Sequence, residues 1–218
     1  MDENKKLKMQ FNIVPIIDND SQSVLSFIEK YFIRDEPLKA SVALIKEKES
    51  IVKFKDFCCN IFNNGDNILY VMGVTLNTIM SKDDLIVQYG DENFISNLKF
   101  DDIEVFLYKI RRDIDLYEKY PNVDRIMELK IISVNEKYRG QGVCKALINK
   151  LKELALKLEY KMMYAECSSC FTAKAMERAG FQCIYSLSYS DYVNKQGKQV
   201  FNMAQPPHEC IKVQVLEL

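Results

Sequence analysis

Ile131-Ile132-Ser133-Val134-Asn135-Glu136-Lys137-Tyr138-Arg139-Gly140-Gln141-Gly142-Val143-Cys144 is the stretch whose reading decides the fold. An apolar run gives way to a short polar loop, then to two glycines, then to apolar residues at helical spacing. Cys144, Leu147, Ile148, Leu151, Leu154, Ala155 and Leu158 recur at intervals of three and four and define one apolar face. The pattern predicts a buried strand over Met127 to Val134, a tight turn, and a helix from about Gly142 to Leu158. Glycines at 140 and 142 remove the Cβ atoms that would hold a ligand away from the backbone. The unpaired N–H groups of the helix's first turn converge there, with the positive end of the helix dipole behind them. That is an anion site suited to a pyrophosphate. A strand-to-helix turn with no ligand would use the same glycines, so glycine content alone leaves both readings open. The third glycine of a dinucleotide fingerprint is missing, and so is the Gly-Lys-Ser/Thr of a P-loop.

Toward the N-terminus, Met9 to Ile16 reads as a first strand, with Phe11 and Ile13 alternating. Asp18 to Asp20 are placed to cap a helix carrying Val24, Leu25, Ile28 and Phe32. Proline at 37 disfavours helical geometry in Glu36, which is therefore expected at a bend. A second helix is predicted over Ser50 to Phe62, a turn at Asn63-Asn64-Gly65-Asp66, and one strand over Asn67 to Leu76. Asp101 to Ile114 has the pattern of an amphipathic helix. Toward the C-terminus follow a strand (Met162 to Ala165), a helix (about Phe171 to Arg178), a strand after Gly180 and a last strand near Ile211 to Leu216. Strands and helices alternate along the chain with no linker or repeat. The fold class is α/β (α+β), a single domain over 1–218 with a mixed sheet flanked by helices.

The chain has 218 residues, enough for one sizeable core. Lys+Arg number 30 against 31 Asp+Glu, so charge gives no reason to propose nucleic acid or an anionic membrane as partner. No apolar run is long enough to span a bilayer. Met1 to Lys8 lack a signal-peptide core, so a cytoplasmic location is expected. Seven cysteines at irregular spacing argue for reduced thiols rather than a disulfide framework. Cys167-Ser168-Ser169-Cys170 has the form C-x-x-C, but no second pair follows and the one histidine, His208, is remote in sequence. No metal is expected.

Arg139-Gly140-Gln141-Gly142-Val143-Cys144 resembles the Q/R-x-x-G-x-G/A acetyl-CoA motif of the GNAT superfamily, with Cys at its last position. Ala175-Met176-Glu177-Arg178-Ala179-Gly180-Phe181 resembles that superfamily's helix-to-strand ending in Gly-Phe. Four stretches are similar to a closer group, the insect-type arylalkylamine N-acetyltransferases. These are Phe32-Ile33-Arg34-Asp35-Glu36-Pro37-Leu38, Ile131 to Val143, Cys167 to Glu177, and Tyr189-Ser190-Asp191-Tyr192 with Val200-Phe201 and Pro207-His208.

The resemblance implies a GNAT-type domain with splayed central parallel strands and acetyl-CoA as co-substrate. Ile132, Ser133 and Val134 would pair with the pantetheine arm. Arg139, Gly140, Gln141, Gly142, Val143, Cys144 and Lys145 would form the pyrophosphate cradle. It implies acetyl transfer to an arylalkylamine such as dopamine, tyramine, serotonin or tryptamine. Alternatives are an aliphatic amine (agmatine or a polyamine) and a non-catalytic acyl-CoA-binding protein. An alkylammonium with a pKa near ~10 must lose a proton before it attacks. The implied base is Glu36, whose competing reading is a solvated carboxylate at a helix end. The position of the tyrosine acid of many GNAT enzymes is Met176 here. The implied substitutes are the hydroxyls of Ser168 and Thr172, for which helix capping is the competing role. Asp35, Tyr189 and His208 are candidate contacts to the amine, against core or structural roles for the last two. Cys144 is either an oxidisable thiol at the turn or an inert buried one. A monomer is expected.

Overall fold

In a computed structural model, residues 12–64, 68–70, 72–80 and 98–218 are described. Strand β1 is Val14–Pro15, shorter than expected, and Phe11 lies outside the described residues. Asp18–Asp20 form a 3-10 turn, and the Asp20 carboxylate accepts the Ile17 N–H at 3.0 Å, so it closes that turn rather than capping the helix behind it. Helix α1 (Ser21–Ile28) buries Val24 and Ile28 and runs on through a wider turn, Glu29–Ile33. Helix α2 (Pro37–Ser41) begins at the predicted bend, with Glu36 extended at φ −73°, ψ 125°. Helix α3 is Lys48–Asn64.

One strand was expected over Asn67 to Leu76, but the chain folds there into a hairpin. Strands β2 (Ile68–Tyr70) and β3 (Gly73–Met80) pair antiparallel, with Tyr70 opposite Gly73. The apolar run had masked the turn. Gly73 fits where little else could, because a Cβ there would lie 2.9 Å from the Ser133 carbonyl oxygen and 3.0 Å from Leu147. Of the predicted turn at 63–66, Gly65 and Asp66 lie outside the described residues.

Helices α4 (Lys99–Ile114) and α5 (Leu116–Lys119) follow, then β4 (Ile126–Val134), α6 (Val143–Lys157), β5 (Met162–Cys167), α7 (Cys170–Arg178), β6 (Gln182–Ser188) and β7 (Cys210–Glu217). The strands form one mixed sheet in the order β1-β2-β3-β4-β5-β7-β6. One core lies between the sheet and α1 to α4, joined by Tyr189, Tyr192 and Phe201. A second lies between the opposite face and α6 and α7.

The centre of the sheet positions the site. β4 and β5 pair in parallel from Ile126↔Met162 to Leu129↔Ala165 and no further. The β3–β4 register steps from Asn77↔Leu129 to Leu76↔Ile131, which leaves Lys130 as an extra residue. Such a bulge bends the strand that contains it. Beyond it β4 continues beside β3 to Val134, while β5 continues beside β7 to Cys167. The two parallel strands therefore splay, as the sequence resemblance implied.

Candidate active site

Glu36 stands at one wall of the splay. Its carboxylate accepts the N–H groups of Leu38 (3.1 Å) and Lys39 (2.9 Å), and Lys39 Nζ lies 3.2 Å away. The Lys39 ammonium is held in turn over the rings of Phe32 and Phe54, at 4.7 and 4.9 Å. The Ser168 side chain lines the same cleft and favours the charged form of Glu36. Burial pushes the Glu36 carboxyl up, but Lys39, the Ser168 hydroxyl and the two backbone N–H groups outweigh it and leave it below its ordinary value. Glu36 does sit at a helix end, but buried rather than solvated.

Of the two candidate hydroxyls, the structure brings only Ser168 to Glu36. Neither caps α7, because Ser169 is the N-cap residue and accepts from Phe171 N–H at 3.3 Å. Thr172 lies half-buried on the first turn of α7. His208 Nδ1 accepts the Cys170 N–H at 3.2 Å, a second cap on the same helix. Burial lowers the His208 pKa, partly countered by the charge of Glu36. The ring is thus neutral at pH 7, with its proton on Nε2. Tyr189 is a core residue, packed against Phe106 and Phe201, and its hydroxyl donates to the Ser168 carbonyl at 2.7 Å. Both residues support the segment that carries Ser168.

Asp35 is not part of the cleft lining. It is bridged by Arg34 NH2 at 3.0 Å and Arg139 NH2 at 2.6 Å, and Arg34 also reaches Glu136 at 2.7 Å. Arg139 Nε donates to the Val134 carbonyl at 3.1 Å. These exposed pairs tie the Glu36 segment to the glycine turn.

At that turn Gly140 and Gly142 have φ of +74° and +89°, the left-handed region that disfavours a side chain. An added Cβ at either would meet no atom within 4 Å, so the space over the turn is open. Gly142 is the N-cap of α6 with no side-chain cap, which leaves the first-turn N–H groups of Val143, Cys144 and Lys145 available. The Val143 side chain is buried in the core, so only its backbone faces the turn. Gln141 Nε2 is engaged with the Lys137 carbonyl at 2.9 Å. Burial pushes the Cys144 thiol up to about 11, so it is protonated and unreactive at neutral pH. Behind the turn, the edge of β4 at Ile132, Ser133 and Val134 has lost its β5 neighbour. An open glycine turn, free helix amides and a bare strand edge fit an extended ligand ending in a pyrophosphate.

The cleft between α2, α3, α4 and the splay encloses about 550 Å³, counting its open mouth. Phe32, Phe54, Phe57 and Leu107 line it together with a set of charges that sequence patterning missed. Arg111 makes a bidentate pair with Glu166 (2.7 and 2.7 Å) and reaches Glu128 at 3.4 Å. Lys130 pairs with Glu128 at 2.6 Å, and the Tyr164 hydroxyl donates to Glu166 at 2.8 Å. A signal was present: Glu128, Lys130 and Glu166 are charges inside apolar central strands, which are retained only when paired. Among the described residues no group of His, Cys, Asp and Glu could hold a metal ion, and no helix is long and apolar enough to cross a membrane.

Residues 111–181 match the family model described as Acetyltransferase (GNAT) family. Those residues carry the GNAT acetyltransferase signature. That match takes in the bulged strand, the glycine turn, α6, β5 and α7. The fold is similar to a solved arylalkylamine N-acetyltransferase 2 from Aedes aegypti, at 26% identity over 96% of this chain and 99% of that one, with a TM-score of 0.87. It is also similar to a Drosophila melanogaster polyamine N-acetyltransferase that catalyses the formation of N-acetylagmatine (19% identity, 95% and 100% coverage, TM-score 0.81). A more distant structural match, Arabidopsis thaliana NAA60, was solved in complex with acetyl-CoA (15% identity, 96% and 99% coverage, TM-score 0.55).

Proposed function

We propose that the protein transfers the acetyl group of acetyl-CoA to a small primary amine by direct attack in a ternary complex. The observation that carries this is the convergence, at one splay, of the bare β4 edge with its glycine turn and the Glu36–Ser168 pair. The donor supplies a thioester. The backbone of Ile132 to Val134 pairs with its pantetheine arm, and the amides of Gly142 to Lys145 hold its pyrophosphate. Glu36, ionised at neutral pH, takes the proton from the attacking ammonium. Ser168 gives its proton to the departing thiolate and regains one from Glu36, and the Glu36 carboxylate so freed takes the second proton that the nitrogen loses as the amide forms and releases it to solvent. A backbone N–H of the unpaired β4 edge stabilises the oxyanion. A single domain, residues 1–218, carries the reaction as a cytoplasmic monomer.

The acceptor reading has two branches. The wall of Phe32, Phe54 and Phe57 supports an arylalkylamine such as dopamine, tyramine, serotonin or tryptamine. Acidic groups in the same cleft, Glu104 above all, favour an aliphatic amine such as agmatine or a polyamine. The test is the initial rate of CoA thiol release from acetyl-CoA, with dopamine, tryptamine, agmatine and spermidine run in parallel. Turnover with any of them supports transfer, and the pattern selects the branch. Silence across the panel while acetyl-CoA still binds would replace the enzyme reading with that of a non-catalytic acyl-CoA-binding protein.

A further inference from the structure

Four carboxylates and three cations line the acceptor cleft: Glu36, Glu104, Glu128 and Glu166 against Lys39, Arg111 and Lys130. Three of the carboxylates are matched. Lys39 holds Glu36, Lys130 and Arg111 hold Glu128, and Arg111 holds Glu166. Glu104 is the remaining one, and among the described residues it has no ion-pair partner and no hydrogen bond. It stands on the same face of α4 as Leu107 and Arg111, three and seven residues on, and all three line the cleft. Burial pushes its carboxyl above the ordinary value, although Arg111, Lys130 and Lys39 pull the other way through space. Those charges and Glu166 are the ones that act on Glu104 most strongly; Glu36 is not among them.

We propose that Glu104 is a specificity-determining residue that selects acceptors carrying a second cationic group, an ammonium or guanidinium, remote from the nitrogen that is acetylated. The inference rests on the transferase reading of the cleft and deepens it. A nucleophilic amine reacts only after its proton has passed to Glu36, so a monoamine leaves no cation for Glu104 at the moment of attack. The Glu104 carboxylate would then remain desolvated and unmatched, which is costly. A dicationic acceptor keeps its second charge throughout and supplies Glu104 with a counter-ion. A site built around one charged acceptor group discriminates strongly against analogues that lack the matching donor.

The decisive comparison is between 1,5-diaminopentane and n-hexylamine, which have the same length and differ in one terminal group. With the full chain and saturating acetyl-CoA, the diamine is expected to exceed the monoamine in kcat/KM by about tenfold or more, equivalent to one well-placed charged hydrogen bond. Glu104→Gln should erase that preference by raising KM for the diamine with kcat little changed, while hexylamine is used as well as before or better. Glu104→Asp, which keeps the charge, should retain part of it, and acetyl-CoA binding by both variants confirms that they are folded. Equal use of the two amines by the unsubstituted protein would overturn the proposal, as would an equal loss for both amines in the Gln variant. If no amine is turned over, the transferase reading fails first. Calorimetric titration of the same two amines into the CoA-loaded protein then decides Glu104, since equal affinities refute it and a diamine preference sustains it.

Discussion

At Glu36 the physical effects oppose one another and their balance sets the chemistry. Burial alone would raise the carboxyl pKa, whereas Lys39, the Ser168 hydroxyl and two backbone N–H groups hold it below its ordinary value. A base must be ionised to accept a proton, so every donor aimed at Glu36 also tunes it. Ser168→Ala removes one stabiliser of the carboxylate, and the Glu36 pKa must rise. The acid limb of kcat/KM for amine should therefore move to higher pH, and kcat should fall by about tenfold or more through loss of the acid. A pH–rate profile of the variant that overlays the original would disconnect Ser168 from Glu36. Glu36→Gln keeps an acceptor for one of the Leu38 and Lys39 N–H groups and cannot take a proton. It is expected to cut kcat by at least about tenfold. A pH–rate profile that keeps its acid limb in that variant would assign the base elsewhere.

At the scale of elements, the turn before α6 carries the sharpest expectation. Gly142 sits at φ +89°, where a side chain costs about 1–2 kcal/mol, and that strain is relieved by rotating the first turn of the helix. Gly142→Ala should raise KM for acetyl-CoA by about tenfold, the equivalent of that strain, and leave KM for amine nearly unchanged. Equal effects on both substrates would mean that the turn does not hold the donor. This element was legible in the sequence because its three parts obey strict local rules: an apolar strand, glycines at positive φ, and a helix with period 3.6. The Glu36 bend was legible for a similar local reason, the steric demand of Pro37. The β2–β3 hairpin was not, because an apolar run reads the same whether it is one strand or two. The Lys130 bulge exists only relative to β3 and leaves no mark in its own strand. Arg111 and Glu104 were hidden on an amphipathic helix, where charges ordinarily face water. Only the docking of α4 over the splay turned them inward.

Across the whole molecule, α4, β4 and β5 are tied under the cleft by one buried ionic network, Arg111 with Glu166 and Glu128, joined by Lys130 and Tyr164. Although burial raises the Glu166 carboxyl, Arg111, Lys130 and Tyr164 draw it below its ordinary value of 4.5. A carboxyl depressed in the folded state stabilises the protein above its unfolded value, and that contribution is lost as pH falls through the folded one. Glu36 has the same sign, whereas Glu104, raised by burial, is relieved by acid and works the other way. Acidification below about pH 4.5 should therefore lower the urea midpoint steeply, by removing the Glu166 and Glu36 contributions together. Arg111→Leu separates them. At pH 7 it leaves two buried carboxylates short of a partner and should cost about 3–5 kcal/mol. It also removes the main reason that Glu166 stays ionised, so Glu166 should protonate in the folded variant at a higher pH. The acid slope of the urea midpoint should then be shallower than in the unsubstituted protein. Parallel slopes between pH 7 and pH 3.5, despite the lower midpoint, would show that the network is a packing contact and not the source of the acid sensitivity.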